Sequence, residues 1–143
     1  MAKVLAINIS ERKGQVKHPI EKGHFIENHG LEGDAHAGNW HRQISLLGIE
    51  SINKIKIFLE SGIEAGKFAE NITTEGIILY ELPIGTKLKI GEVILEVTQI
   101  GKECHNHCEI RKLVGDCVMP REGIFAKVIV GGYIYGEEEI EIL

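Results

Sequence analysis

The apolar positions of this chain fall into short runs separated by glycines and polar turns. Lys3 to Ile9 reads KVLAINI, and Glu92 to Ile100 reads EVILEVTQI. Such apolar runs are typical of strands, and the alternation of apolar residues at Glu139 to Leu143 is typical of a strand that buries one face. Glycine-containing turns at 91–92 and 131–132 separate neighbouring runs, as in hairpins. The pattern predicts further strands at Gln43 to Leu47, Leu88 to Ile90, Val93 to Ile100, Ile124 to Val130 and Glu139 to Leu143.

One segment has a helical period instead. In Glu50 to Gly62, ESINKIKIFLESG, the residues Ile52, Ile55 and Leu59 recur three to four positions apart, and Gly62 provides a stop. The following GKFAENITT, residues 66–74, is rich in turn-forming residues and is predicted to be a loop. Many short strands with one main helix and short helical segments predict a mostly β, barrel-like or sandwich fold. The chain of 143 residues is interpreted as a single domain, 1–143.

Composition narrows the class of protein. Hydrophobic residues make up 43% and charged residues 26% of the chain, as in soluble globular proteins. The net charge of -5 disfavours nucleic acid as a partner, because nucleic-acid binding needs a basic surface. No apolar stretch approaches the roughly 20 residues of a membrane span. With no export signal recognised, the three cysteines are expected to be reduced thiols in the cytoplasm.

The chemistry is concentrated in Val97 to Met119, VTQIGKECHNHCEIRKLVGDCVM, which holds all three cysteines. Cys104 begins an irregular segment directly after a predicted strand. Lys102, His105 and His107 lie within a few residues of it, and nearby cationic groups favour the reactive thiolate. The sequence therefore predicts a working thiol at the end of a strand.

Three other interpretations of this segment stay open. Cys104, Cys108 and Cys117 with a histidine have the ligand types of a structural zinc site, although their spacing does not match the usual close pairs. The thiols are alternatively inert packing groups, which fits Cys117 best. A cysteine hydrolase would need a nearby base, for which Asp34, His36 and His41 are candidates, but no local signature of such a family is present.

A second dense segment, Gly23 to Gly48, combines glycines with four histidines and with Asp34 and Arg42. Glycine allows close approach of the backbone to a ligand, so the segment is interpreted as a polar ligand loop leading into the strand QISLL. The preceding QVKHPIEKG, which contains Lys17, is interpreted as a solvated loop or edge strand. The Asp34–Arg42 and Lys102–Cys108 segments are predicted to line one pocket.

Four stretches together resemble a MOSC domain, the module named for the C-terminal part of molybdenum cofactor sulfurases. The resemblance runs in the expected order over most of the chain from Gly30 to Gly132, and it is closest to the small stand-alone bacterial type. The stretches are GLEGDAHAGNWHRQISLL, FAENITTEG, LPIGTKLKIGEVILEVTQIGKECHNHC and GDCVMPREGIFAKVIVGG.

The resemblance implies a strand-rich barrel-like fold and a protein that binds molybdenum cofactor (molybdopterin) and transfers or carries sulfur. Cys104 would carry a persulfide or ligate molybdenum, since soft thiolate suits both roles. Cys108 is the second candidate thiol. The chain has no room for a pyridoxal-phosphate domain, so a partner would donate the sulfur: a sulfur-donor, cofactor-biosynthesis or molybdoenzyme protein.

The other expected site residues surround that thiol. Arg42, with Lys102 or Arg121, would bind the cofactor's phosphate. Asp34 and Asn71 would hydrogen-bond the pterin or orient neighbours, and His36 or His41 would move protons. Two alternatives remain at this stage: a non-catalytic carrier that delivers the cofactor, and a zinc-stabilised interaction module.

Overall fold

The computed structural model describes residues 2–11, 17–56, 70–101 and 122–143. In that part of the chain there are eleven strands, one α-helix and one short 3-10 helix at Leu79–Glu81. The helix α1 spans Ile49–Lys56. The strands are β1 Lys3–Ile9, β2 His18–Ile20, β3 Lys22–Ile26, β4 Gly30–Leu31, β5 Ile44–Gly48, β6 Ile72–Glu75, β7 Lys87–Ile90, β8 Val93–Ile100, β9 Ile124–Val130, β10 Gly132–Tyr135 and β11 Ile140–Ile142.

Eight of the strands form one sheet in the order β11-β7-β8-β9-β5-β6-β1-β2, and a three-stranded sheet has the order β10-β3-β4. β5 and β6 pair in parallel, with Leu46 opposite Ile72. A parallel pair needs a crossover connection, and α1 leaves β5 to begin it. The other pairs in both sheets are antiparallel.

Along β8, buried residues alternate with partly exposed ones. Val93, Leu95 and Val97 of β8 are at most 1% exposed and enter one continuous core. The three-stranded sheet contributes Phe25 and Ile134 to the same core. Fully burying such a side chain stabilises a fold by about 1.5–3 kcal/mol. The core therefore fixes which face of each strand points inward.

The prediction of a mostly β fold with one main helix is confirmed, and the 3-10 helix at Leu79–Glu81 is a short helical segment of the expected kind. The closed barrel is not confirmed, since both sheets are open and curled. The ends of the larger sheet nevertheless approach each other, because the start of β1 hydrogen-bonds the residues around the start of β11. Val4 N donates to Glu138 O (2.8 Å), Glu137 N to Val4 O (2.8 Å) and Ile140 N to Ala2 O (2.9 Å).

Two sequence-based boundaries need correction or completion. The loop predicted at residues 66–74 is wrong at its end, where Ile72–Glu75 forms strand β6 between β5 and β1. Its threonines, Thr73 and Thr74, are fully buried rather than exposed turn residues. The helix predicted at Glu50 to Gly62 is observed over Ile49–Lys56, and its remaining residues lie outside the described part. No helix in the described residues is long and apolar enough to cross a membrane.

Candidate functional site

The cysteine segment leaves and rejoins the large sheet at one point. Gly101 follows β8, Gly123 precedes β9, and Gly101 N donates a hydrogen bond to Gly123 O at 2.7 Å. The two glycines thus pair at the base, meaning the two ends, of the connection between β8 and β9, whose sequence contains the three cysteines. Four predicted site residues lie within it, outside the described residues: Lys102, Cys104, Cys108 and Arg121. Cys117, the third thiol, lies outside them as well.

Gln99, two residues before that base, joins it to the glycine-rich segment. Its Oε1 accepts hydrogen bonds from Arg42 Nε and from His41 Nε2, both at 3.0 Å. Its Nε2 donates to Gly101 O at 2.7 Å. Because the guanidinium Nε can only donate, the amide orientation of Gln99 is fixed by these contacts.

A β-bulge explains why Gln99 is available for this role. Val93, Leu95 and Val97 point into the core, and uninterrupted alternation would send Gln99 there as well. The register with β9 shifts between Val97 and Gln99, so that Val97 pairs with Ala126 and Gln99 with Phe125. A bulge reverses the face of the residues that follow it. Gln99 consequently lies on the side of the sheet where Arg42 reaches it.

Arg42 is half-buried and held on two sides. Its Cζ lies 5.1 Å from the centre of the Phe125 ring, a cation–π contact, and its Nε is bound to Gln99. In the described part of the chain its terminal guanidinium nitrogens have no hydrogen-bond partner. A fixed guanidinium with unused donors is suited to binding a carboxylate or phosphate.

Asp34 is at the centre of a buried polar cluster. Its side chain is 0% exposed, and so is that of Lys17, whose Nζ donates to Asp34 Oδ1 at 2.7 Å. Ser10 N also donates to Oδ1, and His36 N donates to Oδ2, both at 3.1 Å. Burial acts to raise the pKa of Asp34. The His36 side chain beside the carboxylate and the charge of Lys17 outweigh burial and hold this pKa well below its ordinary value.

Lys17 contradicts the prediction of a solvated loop at QVKHPIEKG. Besides Asp34, its ammonium contacts Ser10 Oγ at 3.1 Å and His36 Nδ1 at 3.3 Å. Within the described residues, its ammonium therefore has three acceptors. The neighbouring His18–Ile20 forms the edge strand β2, which agrees with the other half of that prediction. Lys17 is buried because it neutralises Asp34.

His36 and His41 are connected through Trp40. The indole Nε1 donates to His36 O at 2.7 Å, and the indole ring meets the His41 ring edge-on at a centroid distance of 5.8 Å. Trp40 is 36% exposed, and His41 is exposed as well. Thr98 also donates to the His41 carbonyl. The loop therefore presents an indole and two imidazoles at its surface.

Asn71 is fully buried and binds two neighbouring strands. Its Oδ1 accepts from Ser45 N (2.9 Å) and Ser45 Oγ (3.2 Å), and its Nδ2 donates to Asn8 O (3.3 Å). Beside it, Asn8 Nδ2 donates to Thr73 Oγ1, which donates to the buried carboxylate of Glu70. With these bonds Asn71 orients its neighbours, and its contact with a ligand stays a prediction.

Comparison with known proteins gives the family. The family model described as the MOSC domain matches residues 33–141, a range that contains Asp34, Arg42, Gln99 and the whole cysteine segment. The chain belongs to the MOSC family. No significant match is found among curated protein sequences.

Solved structures share the fold of this MOSC chain. YuaD from Bacillus subtilis has a TM-score of 0.81 at 22% identity, over 99% of this chain and 96% of that one. YiiM from Geobacillus stearothermophilus has a TM-score of 0.78 at 17% identity, over 100% and 75% of the two chains. YiiM from Escherichia coli has a TM-score of 0.72 at 19% identity, over 100% and 70%. At these identities the likeness establishes the fold.

The MOSC fold brings some predicted site residues together. Arg42 and His41 meet at Gln99, beside the base of the cysteine segment. Asp34 and His36 form the adjacent buried cluster. The predicted common pocket stays a prediction, because Cys104 itself lies outside the described residues.

Sequence reasoning missed Lys17, Gln99 and the contact of Arg42 with Phe125. One of them left a signal. Gln99 occupies the fourth of the alternating positions 93, 95, 97 and 99, where the first three are apolar. A polar residue that interrupts a core pattern at the end of a strand indicates a bulge or a functional position. Lys17 left no such signal, because its partner is 17 residues away in the chain.

Proposed function

We propose that this MOSC protein binds molybdenum cofactor or a related pterin and handles sulfur through Cys104. The observation that carries the proposal is the Gln99 junction. The guanidinium of Arg42 and the imidazole of His41 are both hydrogen-bonded to Gln99. Gln99 in turn donates to the carbonyl of Gly101, three residues before Cys104. Membership of the MOSC family supports the same class of ligand.

The described residues fit a phosphate-bearing cofactor. Arg42 offers donors that no described residue uses, on a side chain already fixed by Gln99 and Phe125. Charge-assisted hydrogen bonds from such a group are the strong kind that phosphate recognition uses. Lys102 and Arg121, at the two ends of the cysteine segment, would add positive charge. Molybdenum in the bound cofactor would supply a centre that a soft thiolate can ligate.

Sulfur would reach Cys104 by thiol exchange with a partner protein. The Cys104 thiolate attacks the outer sulfur of a cysteine persulfide on the donor. The new S–S bond forms on Cys104, the donor's S–S bond breaks, and the donor leaves as a thiolate. The reaction is a thiol–disulfide exchange in type and needs no external oxidant. His36 or His41 would move the proton that accompanies formation of the attacking thiolate.

Native mass spectrometry of the protein purified from its own host tests this proposal. We expect bound cofactor or a mass increase of one sulfur, and Cys104→Ser abolishes the sulfur increase in a folded protein. Cys108→Ser and Cys117→Ser are the matched controls and retain it. Retained sulfur in Cys104→Ser would overturn the choice of thiol. One zinc per chain with neither cofactor nor sulfur would instead select the zinc-stabilised module, and cofactor binding without turnover would select the carrier.

Thiol reactivity gives an independent test of the same assignment. Cys104 has Lys102 and His105 near it in sequence, whereas Cys117 follows Asp116 and precedes two apolar residues. Cationic neighbours favour the thiolate, so limiting alkylating reagent near neutral pH should label Cys104 first. Peptide mapping reports the order. Labelling of Cys117 first, with Cys104 protected, would contradict the prediction.

Arg42→Ala tests the anion site. We expect the affinity for a phosphorylated pterin to fall by about 1–3 kcal/mol, or roughly 5- to 150-fold, the range for a hydrogen bond to a charged group. Lys127→Ala is the matched control, because it removes one positive charge that is paired with Glu96 at 3.3 Å on the same sheet. Equal affinities of Arg42→Ala and the native protein would exclude Arg42 from the site.

A further inference from the structure

Each of the two exposed-loop histidines has one ring nitrogen engaged by a fixed neighbour. His36 uses Nδ1, which lies 3.3 Å from Lys17 Nζ. His41 uses Nε2, which lies 3.0 Å from Gln99 Oε1. The hydrogen bond made by one nitrogen of an imidazole decides where its proton is. The two neighbours therefore determine which atom each ring presents to a ligand.

Lys17 determines which ring nitrogen of His36 carries the proton. An ammonium group has donors and no acceptor, and Lys17 is charged because it is buried against Asp34 at 2.7 Å. His36 Nδ1 must then be the acceptor. The alternative partner for Nδ1, Asp34 Oδ2, is 3.7 Å away, beyond hydrogen-bonding distance. The ring proton is consequently on Nε2, which has no partner in the described residues.

Gln99 determines the tautomer of His41 by accepting a hydrogen bond, whereas Lys17 donates one to His36. Its Oε1 faces two groups, and Arg42 Nε can only donate, so this atom is an acceptor for both. His41 Nε2 must carry the proton that it donates. Its Nδ1 is left as a lone pair, again without a partner in the described part of the chain.

We infer that the loop is a matched proton donor and proton acceptor, with His36 offering Nε2–H and His41 offering the Nδ1 lone pair. Lys17 and Gln99 are the positioning residues. Trp40 links the two positions, because its indole donates to the backbone carbonyl of His36 and its ring contacts the His41 ring. A ligand of this surface has a hydrogen-bond acceptor for His36 and an N–H, O–H or S–H group for His41. The inference deepens the proposed function, and it rests on that function only for the identity of the ligand.

The wild-type protein without cofactor provides the first test. Long-range ¹H–¹⁵N spectra of the imidazoles, assigned with His36→Asn and His41→Asn, report the tautomer of each ring. We expect Nε2–H for both His36 and His41. His24 is an internal control, because its Nδ1 lies 2.7 Å from Glu32 Oε2 and should carry the proton. A proton on Nδ1 of neutral His36 or His41 would overturn the inference.

Substitution of Gln99 separates positioning from simple packing. In Gln99→Leu the His41 signals should move to the averaged position of an unconstrained histidine, and His36 should not change. Gln99→Glu keeps an acceptor for His41 and should restore the Nε2–H signature. An unchanged His41 in Gln99→Leu would show that Gln99 does not set its tautomer.

Lys17→Met tests the other positioning residue. It should average the His36 signals and leave the His41 signals unchanged. Unchanged His36 signals in the folded variant would show that Lys17 does not set the tautomer of His36.

The result is independent of cofactor binding. The spectra concern only residues of this chain, so a protein that never binds a pterin can still show the expected tautomers. Conversely, failure of the tautomer test leaves the mass-spectrometric evidence for cofactor or sulfur unaffected. The two proposals therefore fail separately.

Discussion

At the scale of single residues, the Lys17–Asp34 pair decides the character of the glycine-rich segment. Both side chains are 0% exposed. Burying two charges costs several kcal/mol per ion, which is compensated only when the pair is close and its remaining hydrogen-bonding groups are satisfied. Here the pair is 2.7 Å apart, and Ser10 and His36 complete it. The first role of Asp34 is thus to fix the loop from which His36, Trp40 and His41 are presented.

Asp34→Asn should reveal this role through the pH dependence of stability. The folded-state pKa of Asp34 is lowered. Its ionised form therefore stabilises the fold above the unfolded-state pKa of about 4, and this stabilisation is lost as the pH falls further. At pH 7 we expect Asp34→Asn to lower the free energy of unfolding by about 3–5 kcal/mol, because Lys17 is left buried without its counter-ion.

Urea unfolding at pH 7, 4 and 3 measures the effect. The difference between the native protein and Asp34→Asn should be constant from pH 7 to about 5 and shrink below about 4. Glu32→Gln is the control, since the Glu32 side chain is 60% exposed in its contact with His24 and should contribute little. A difference that does not change between pH 7 and pH 3 would contradict the linkage to Asp34 ionisation.

At the scale of elements, the strands that could be predicted from the sequence are those that bury an apolar residue at every second position. β7, β8 and β9 were predictable because their core face carries Leu, Ile, Val and Ala at every second position. β6, with the sequence ITTE, was not, because its buried threonines resemble turn residues. What holds β6 in place is its pairing on both sides and the side chain of Asn71. Neither can be inferred from local sequence.

Asn71→Ala tests whether this residue is an anchor of the sheet. The substitution leaves Ser45 N without its buried acceptor and Asn8 O without one donor. Each buried group left unsatisfied costs about 1–3 kcal/mol, so we expect a loss of about 2–4 kcal/mol in the free energy of unfolding. Ser45→Ala is the matched control and should cost less, because it keeps the bond from Ser45 N. Native stability with lost pterin binding would instead assign Asn71 to ligand contact.

At the scale of the whole molecule, the site depends on how the large sheet curls. Arg42 and Gln99 are 57 residues apart, yet the order β8-β9-β5 places them two strands from each other. The sequence located the glycine-rich and cysteine segments separately. Their junction could not be predicted, because it depends on strand order and on one bulge in β8. The same curling brings Ala2–Val4 against Glu137–Ile140, which we call the seam.

Amide hydrogen exchange should show whether the seam behaves as part of the sheet. The amides of Val4, Glu137 and Ile140 donate backbone hydrogen bonds of 2.8–2.9 Å across it. We expect them to exchange as slowly as amides between β8 and β9, because both open only with the core. The Tyr133 amide donates to the exposed carboxylate of Glu92 at 3.3 Å and serves as the reference for fast exchange. Lys3→Ala, which removes the surface ion pairs with Glu137 and Glu75, should leave the protection unchanged. Seam amides that exchange as fast as Tyr133 would mean that the curled sheet is open there in solution.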